Sequence, residues 1–229
     1  TGNDGANVID GKGGVDALLG GKGSDAYRVN LISVGSGATK SVNLEDTVTE
    51  KVDEGILDTI LLQGEIDDLV NYTTLTLGAN SEEINAASTG HTKINLTGNA
   101  LDNGMVGNYA DNTLNGLAGA DNLWGRGGND TYEVDNLGDT VHEFADEGTD
   151  LVKVGIVAAG GEYQLSADVE NGTLTNTVAF KLTGNAGSNV LIGNAAVNTL
   201  MGGEGKDTLD GLGGAGVLNG GGGDDSYGG

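Results

Sequence analysis

Oxygen-bearing side chains recur at a nine-residue spacing in three stretches of the sequence. Each unit begins with glycine, as in Gly202 to Asp210, and its sixth residue is Asp or Asn in eleven of twelve units, the exception being Gly216. Carboxylate and amide oxygens held in register are ligands that hard cations prefer. The eleven residues are Asn7, Asp16, Asp25, Asn103, Asn112, Asp121, Asp130, Asn189, Asn198, Asp207 and Asp225.

Each unit divides into a turn half and a strand half. The first five positions are rich in Gly, Asn and Asp, which adopt positive φ values that other residues avoid. The last four positions alternate, and the eighth is apolar or aromatic in all twelve units. This alternation predicts a short strand whose eighth residue faces the interior. Tyr27, Tyr132 and Tyr227 occupy that position at the end of each array.

The nine-residue period predicts that each unit forms half of a coil. Units eighteen residues apart then stack as parallel strands about 4.8 Å apart, which places Asp207 beside Asp225. Two carboxylates about 5 Å apart repel by roughly 3 kcal/mol at an effective dielectric constant near 20. A cation between the turns removes this repulsion, and Ca²⁺ fits better than Mg²⁺, which prefers strict octahedral geometry. Zn²⁺ would need Cys or His, and the sequence has no Cys and two His.

The repeats divide the chain into arrays and spacers. Arrays 1, 2 and 3 cover residues 1–29, 98–133 and 184–229, and two β-rich spacers cover residues 30–97 and 134–183. We expect an all-β fold, an elongated parallel β-roll or β-solenoid that continues through the spacers. The acidic stretch from Asp46 to Glu54 is interpreted as a solvated face, with a further cation site as the alternative.

Composition excludes several classes of partner. The 229 residues carry a net charge of -24, which argues against nucleic acid and anionic membrane as direct partners. No apolar run approaches the roughly 20 residues needed to span a bilayer, so we expect no membrane insertion. No nucleophile, zinc-protease or phosphate-loop motif is present, and we expect no enzyme activity and no catalytic residue. The chain begins with Thr1 and is expected to be a fragment.

Three units fit one known pattern at every position. GGKGSDAYR from Gly20, GGEGKDTLD from Gly202 and GGGGDDSYG from Gly220 match G-G-x-G-x-D-x-U-x. The chain therefore resembles the RTX, or haemolysin-type, calcium-binding repeat. The resemblance implies a parallel β-roll with several Ca²⁺ ions in its turns, export by type I secretion and folding outside the cell.

The resemblance also implies a ligand set. Sixth-position Asp residues would be side-chain ligands, with Asn giving weaker sites, and turn carbonyls would supply the other oxygens. Asp16 would have no partner eighteen residues downstream, because the array stops and Val34 lies at that position. The strongest site is expected between Asp207 and Asp225 with their turns. The remaining ligand positions implied are Gly20, Lys22, Gly125, Gly127, Gly202, Gly203, Glu204, Gly205, Gly221 and Gly223.

Three classes of function are open at this point. The first is a calcium-binding structural module that folds on Ca²⁺ binding, of the scaffold, filament or surface-layer type. The second is an accessory module of a type I secreted enzyme such as a lipase, protease or polysaccharide epimerase. The third is the repeat region of an adhesin. In each case the protein would be secreted or on the cell surface, its partner would be calcium, and the first class allows self-association.

Overall fold

The regular secondary structure of the protein, seen in a computed structural model, consists almost entirely of short strands joined by turns. The structure describes residues 1–52, 54, 55, 57–214 and 216–228, so Asp53, Ile56, Ala215 and Gly229 lie outside the described residues. Within them, one 3-10 helix covers Gly37–Thr39, and no helix has the length and apolar character needed to cross a membrane. The strands in chain order are β1 (Val8–Asp10), β2 (Ala17–Leu19), β3 (Ala26–Val34), β4 (Ser41–Leu44), β5 (Thr47–Thr49), β6 (Thr59–Gln63), β7 (Thr73–Thr76), β8 (Glu83–Ser88), β9 (Ile94–Thr97), β10 (Gly104–Val106), β11 (Thr113–Asn115), β12 (Asn122–Trp124), β13 (Thr131–Val134), β14 (Thr140–His142), β15 (Leu151–Val154), β16 (Glu162–Gln164), β17 (Asn171–Leu174), β18 (Lys181–Thr183), β19 (Val190–Ile192), β20 (Thr199–Glu204), β21 (Thr208–Asp210), β22 (Val217–Gly222) and β23 (Ser226–Gly228).

The strands form two faces, between which the chain alternates. One face carries the parallel ladder β1-β3-β6-β8-β10-β12-β14, and the sheet β16-β18-β20-β22 continues it along the chain. The other face begins with β2-β5 and carries the ladder β7-β9-β11-β13-β15-β17-β19-β21-β23. The result is an all-β parallel solenoid of about 11 turns, which confirms the predicted fold class.

The eighteen-residue stacking inferred from the sequence is present in the arrays. Met105 pairs with Leu123 and Leu114 with Tyr132 in array 2. In array 3, Leu209 pairs with Tyr227 in the same way. The half-coil interpretation of the nine-residue unit is therefore confirmed.

The two spacers form longer coils of the same solenoid. In the first spacer, Tyr27 pairs with Ile60 and β6 in turn pairs with β8. In the second, Tyr132 pairs with Val152 and β15 pairs with β17. Among the strand pairs of the described residues, one is antiparallel, where β4 folds back on the end of β3.

A narrow hydrophobic core runs between the two faces. The eighth-position side chains point into it, and Leu114, Leu123, Leu191, Leu200 and Leu209 are fully buried. Tyr27 and Tyr132 are also fully buried, whereas Tyr227 on the last described strand is exposed. Burying each such side chain stabilises the fold by roughly 1.5–3 kcal/mol.

Candidate metal centre

The sixth-position residues stand directly before the strands and form a buried column on each face. Asp121 precedes β12 on one face, and Asp130 precedes β13 on the other. Asn7, Asp16 and Asp225, near the two ends of the described chain, are more exposed than the rest. The column residues that are at most 1% exposed are Asp25, Asn103, Asn112, Asp121, Asp130, Asn189, Asn198 and Asp207.

The column continues through the spacers, which the sequence analysis missed. Asp16 has no partner eighteen residues downstream, as expected, but it stacks on a later residue, because its backbone N–H donates to Asp46 Oδ1 at 3.0 Å. The coil between them spans 30 residues rather than eighteen, since it contains the antiparallel pair formed by β4 and the end of β3. A signal was present, because Asp46-Thr-Val and Asp139-Thr-Val repeat the acid and apolar order of the nonapeptide without its glycines. Asp58 and Asp150 also belong to the column.

One oxygen of each stacked Asp accepts a hydrogen bond from the preceding coil. The backbone N–H of Asn103 donates to Asp121 Oδ1 at 2.7 Å, and that of Asn189 donates to Asp207 Oδ1 at 2.8 Å. In the predicted strongest site, the Asp207 N–H donates to Asp225 Oδ1 at 3.0 Å. These hydrogen bonds fix each carboxylate against the preceding coil.

The second oxygen of several of the column carboxylates has no protein partner. Oδ2 is buried and without a hydrogen bond in Asp25, Asp46, Asp121, Asp130 and Asp207. Burial raises the pKa of Asp121 to about 6 and that of Asp130 to about 8, although each accepts a backbone hydrogen bond that acts in the opposite direction. Buried charges in proteins are normally paired or coordinate a metal. The geometry is therefore that of an oxygen ligand directed towards a cation.

The sixth-position Asn residues make a different set of bonds. Asn112 Oδ1 accepts the N–H of Asn108 in its own turn at 2.8 Å, and its Nδ2 donates to the Ile94 carbonyl at 2.7 Å. Asn189 likewise accepts from Asn185 and donates to the Val169 carbonyl. Protein atoms thus already engage these amides. The Oδ1 atoms of Asn7, Asn103 and Asn198 also accept from their own turns, and calcium binding by the five Asn residues stays a prediction.

The first glycine of a unit leaves room for ligand oxygens. A Cβ atom on Gly202 would overlap Asp207 Oδ2 and would lie 2.5 Å from the carbonyl oxygen of Gly220 in the next coil. The carboxylate oxygen and the stacked carbonyl therefore converge on the face of Gly202 where a side chain would stand. A site built from one carboxylate and turn carbonyls suits Ca²⁺.

The other positions implied as carbonyl donors lie in these turns. Gly203 pairs with Gly221 and Glu204 with Gly222 in the ladder between β20 and β22. Gly203 and Gly205 have φ values of 113° and 107°, which glycine adopts without strain. The exposed ammonium group of Lys22 forms an ion pair with Asp4 at 3.4 Å and has no acceptor atom. A ligand role for Lys22 would therefore fall to its backbone carbonyl. Calcium ligation by Gly20, Lys22, Gly125, Gly127, Gly223 and the other turn carbonyls stays a prediction.

Replacing Gly202 with Ala is expected to destabilise the calcium-saturated protein by about 1–3 kcal/mol, because the new methyl group enters the space of Asp207 Oδ2 and the Gly220 carbonyl. Urea unfolding at saturating calcium measures the effect. Gly213→Ala is the matched control, since no atom lies within 4 Å of a Cβ placed there. Equal losses in the two variants would contradict the packing described for Gly202.

Comparison with known proteins agrees with the repeat geometry. The family model of the RTX calcium-binding nonapeptide repeat matches four times, at residues 1–27, 98–141, 183–218 and 201–229, which together cover just over half of the chain. No curated protein matches the chain. The matched regions contain the turns in which Asp25, Asp121, Asp130 and Asp207 hold an unpaired buried oxygen. The chain belongs to the RTX calcium-binding nonapeptide repeat family and is a calcium-binding repeat module.

Proposed function

We propose that the chain is a structural module whose folding is driven by Ca²⁺ bound between its stacked turns. The observation that supports this most directly is the set of buried Asp Oδ2 atoms without a partner. An ionised carboxylate buried without a counter-charge destabilises a fold by several kcal/mol. The cation supplies the missing charge and ligand interactions at each such turn.

Calcium binding and folding are linked in this proposal. A ligand that binds only the folded chain stabilises it by about 2.7 kcal/mol per site when its concentration is a hundred times the dissociation constant. Several sites in one solenoid add such contributions, and the net charge of -24 opposes compaction without them. The chelated chain is then expanded, and the calcium-bound chain forms the β-solenoid.

We further propose an extracellular scaffold role within a larger protein. The family supports the location, because RTX repeat proteins are typically secreted bacterial proteins. The elongated, regular stack supports the role, since its two faces are extended sheets suited to a surface layer, matrix or filament. The proposal assigns the chain no catalytic step.

Circular dichroism during a calcium titration at about pH 8 tests the proposal. We expect β-structure to appear cooperatively as Ca²⁺ is added and to disappear when a chelator is added in excess. The matched readout is the amount of bound Ca²⁺ from calorimetry on the same sample. β-Structure that formed fully in excess chelator at this pH would overturn calcium-coupled folding.

Replacing Asp207 with Ala is expected to weaken calcium-dependent folding more than replacing Asn198 with Ala. Asp207 carries a buried oxygen without a partner, whereas Asn198 Oδ1 already accepts the N–H of Asn194 at 2.7 Å. The Asn198 variant should lose about 1 kcal/mol of turn stability. The calcium midpoint of the dichroism signal measures the difference, and equal midpoints in the two variants would contradict this ranking.

A further inference from the structure

The turns that end arrays 1 and 2 differ from the other repeat turns in what is stacked on them. Gly20 follows β2 and Gly125 follows β12. The strands paired with these are β5 and β14, and the residues after them are Glu50 and Glu143 rather than glycine. A glutamate side chain therefore stands where the stacked repeat turns bring a glycine carbonyl.

Each glutamate completes a group of three carboxylates. Cluster 1 consists of Asp25, Glu50 and Asp58, and cluster 2 consists of Asp130, Glu143 and Asp150. One carboxylate oxygen from each member lies within 4.8 Å of those of the other two. All six residues are at least nine-tenths buried, the two glutamates being 7% and 8% exposed and the four aspartates 1%.

Unpaired buried oxygens in both clusters indicate a missing ligand. In cluster 1, Asp25 Oδ2 and both carboxylate oxygens of Glu50 are buried without a hydrogen-bond partner. In cluster 2, the same holds for Asp130 Oδ2 and Glu143 Oε2.

A tyrosine hydroxyl lies beside each cluster. Tyr27 and Tyr132 are the eighth-position residues that end the arrays, and a Cβ atom on Gly20 or Gly125 would overlap the respective hydroxyl. The Tyr132 hydroxyl donates to Glu143 Oε1, whereas the Tyr27 hydroxyl is buried and has no partner. Both clusters thus repeat one arrangement of an aspartate pair, a glutamate and a tyrosine.

The arrangement suits a hard cation with a radius near that of Ca²⁺. Ca²⁺ binds oxygens at 2.3–2.6 Å, so two of its ligands can lie at most about 5 Å apart, and oxygens within 4.8 Å of one another meet this limit. None of the ion pairs between described side chains involves a cluster member. A cation is therefore the natural partner for three negative charges in one buried space.

We propose that clusters 1 and 2 are cation sites of a second type, in which a spacer glutamate adds a third carboxylate to the aspartate pair beside a tyrosine hydroxyl. They bind a hard cation of Ca²⁺ size. Each cluster thereby holds the first coil of its spacer on the end of the preceding array. This inference rests on the proposed calcium-dependent folding. Three carboxylates carry one more negative charge than the Asp207 and Asp225 pair. The clusters should therefore attract trivalent cations more strongly than the repeat turns do.

Terbium luminescence excited through tyrosine tests the proposal, because a nearby tyrosine transfers energy to bound Tb³⁺. In the full chain we expect two tightly bound Tb³⁺ ions with sensitised emission. The double variant Glu50→Gln with Glu143→Gln keeps the side-chain shape and removes one charge per cluster, and it should bind these ions at least about tenfold more weakly. Asp207→Asn is the matched control, and it should leave the two ions unchanged.

The outcomes separate this inference from the proposed function. Unchanged tight binding in the double glutamine variant, with calcium-dependent folding intact, would overturn the two cluster sites alone. Absence of calcium-dependent folding in the wild type would overturn the proposed function. If the double variant does not fold, single Glu143→Gln should lose one tight ion instead of two. Wild-type titration also decides by itself, because the lack of two tight, tyrosine-sensitised ions contradicts the proposal.

Discussion

In excess chelator, the protein is expected to be least folded near pH 8 and to gain β-structure as the pH falls towards 5. Burial, reinforced by neighbouring carboxylates, raises the pKa of Asp130 and Glu143 to about 8 and that of Glu50 to about 7. The folded chain therefore binds more protons than the unfolded chain between about pH 4 and pH 8. Stability without calcium is greatest below the unfolded pKa values and decreases as the pH rises through that window.

The size of this effect is large because several groups act together. Each unit by which burial raises a pKa destabilises the ionised fold by about 1.4 kcal/mol, and the affected carboxylates also include Asp121 and Asp150, whose pKa values are raised to about 6. Saturating Ca²⁺ should reverse the trend, because protons compete with the cation for the same oxygens. Urea unfolding over this pH range, with chelator and with calcium, measures both dependences. A chelated protein that became more stable from pH 5 to pH 8 would contradict the linkage.

The variant Asp130→Asn tests at one residue how charge and calcium affect stability. The amide oxygen can still accept the Asn112 backbone N–H at the Oδ1 position, but the charge is lost. We expect the variant to be more stable than the wild type in chelator near pH 8 and less stable at saturating calcium, each by more than about 1 kcal/mol. Asp111→Asn is the control, because exposed Asp111 accepts the Asn129 N–H in a similar way. Shifts of the same sign in both conditions would contradict a ligand role for Asp130.

The repeat arrays could be predicted from the sequence because local and long-range signals coincide there. The glycines set the turns, the eighth position sets the core, and the constant spacing makes Leu191 fall opposite Leu209 eighteen residues later. The spacers were harder, because their coils vary in length. Local propensity does not specify that Tyr27 pairs with Ile60. The register between β3 and β6 depends on how the antiparallel β3–β4 pair packs.

The site was predicted only in part for the same reason. The Asp column within each array follows from the period, and the difference between Asp and Asn follows from their hydrogen-bonding atoms. Asp46 and Glu50 enter the site because a coil of unusual length returns them to it, which sequence spacing alone does not reveal. The pattern shared by Asp46-Thr-Val-Thr-Glu50 and Asp139-Thr-Val-His-Glu143 was visible, but burial decided its meaning.

Leu191→Ala is expected to destabilise the calcium-saturated protein by about 2–5 kcal/mol. Leu191 is fully buried between the two faces. Gly172 on β17, the neighbouring strand of the same ladder, leaves space that Leu191 and Leu182 fill. The parallel ladders on both faces hold the backbone apart, so the core has little freedom to collapse into the cavity. Because each coil contacts only its neighbours, the loss also weakens the interfaces with the coils above and below.

Val190→Ala provides the matched control in the same strand. Val190 precedes Leu191 on β19 and its side chain lies on the outer surface, 40% exposed, so its truncation should cost less than about 1 kcal/mol. Urea unfolding at saturating calcium, with bound calcium counted in both variants, separates a core effect from a metal effect. We expect the number of bound ions to be unchanged while the unfolding midpoint of Leu191→Ala falls. Equal midpoints for the two variants would show that the eighth position does not carry the core, and the stability of the solenoid would then depend on its turns alone.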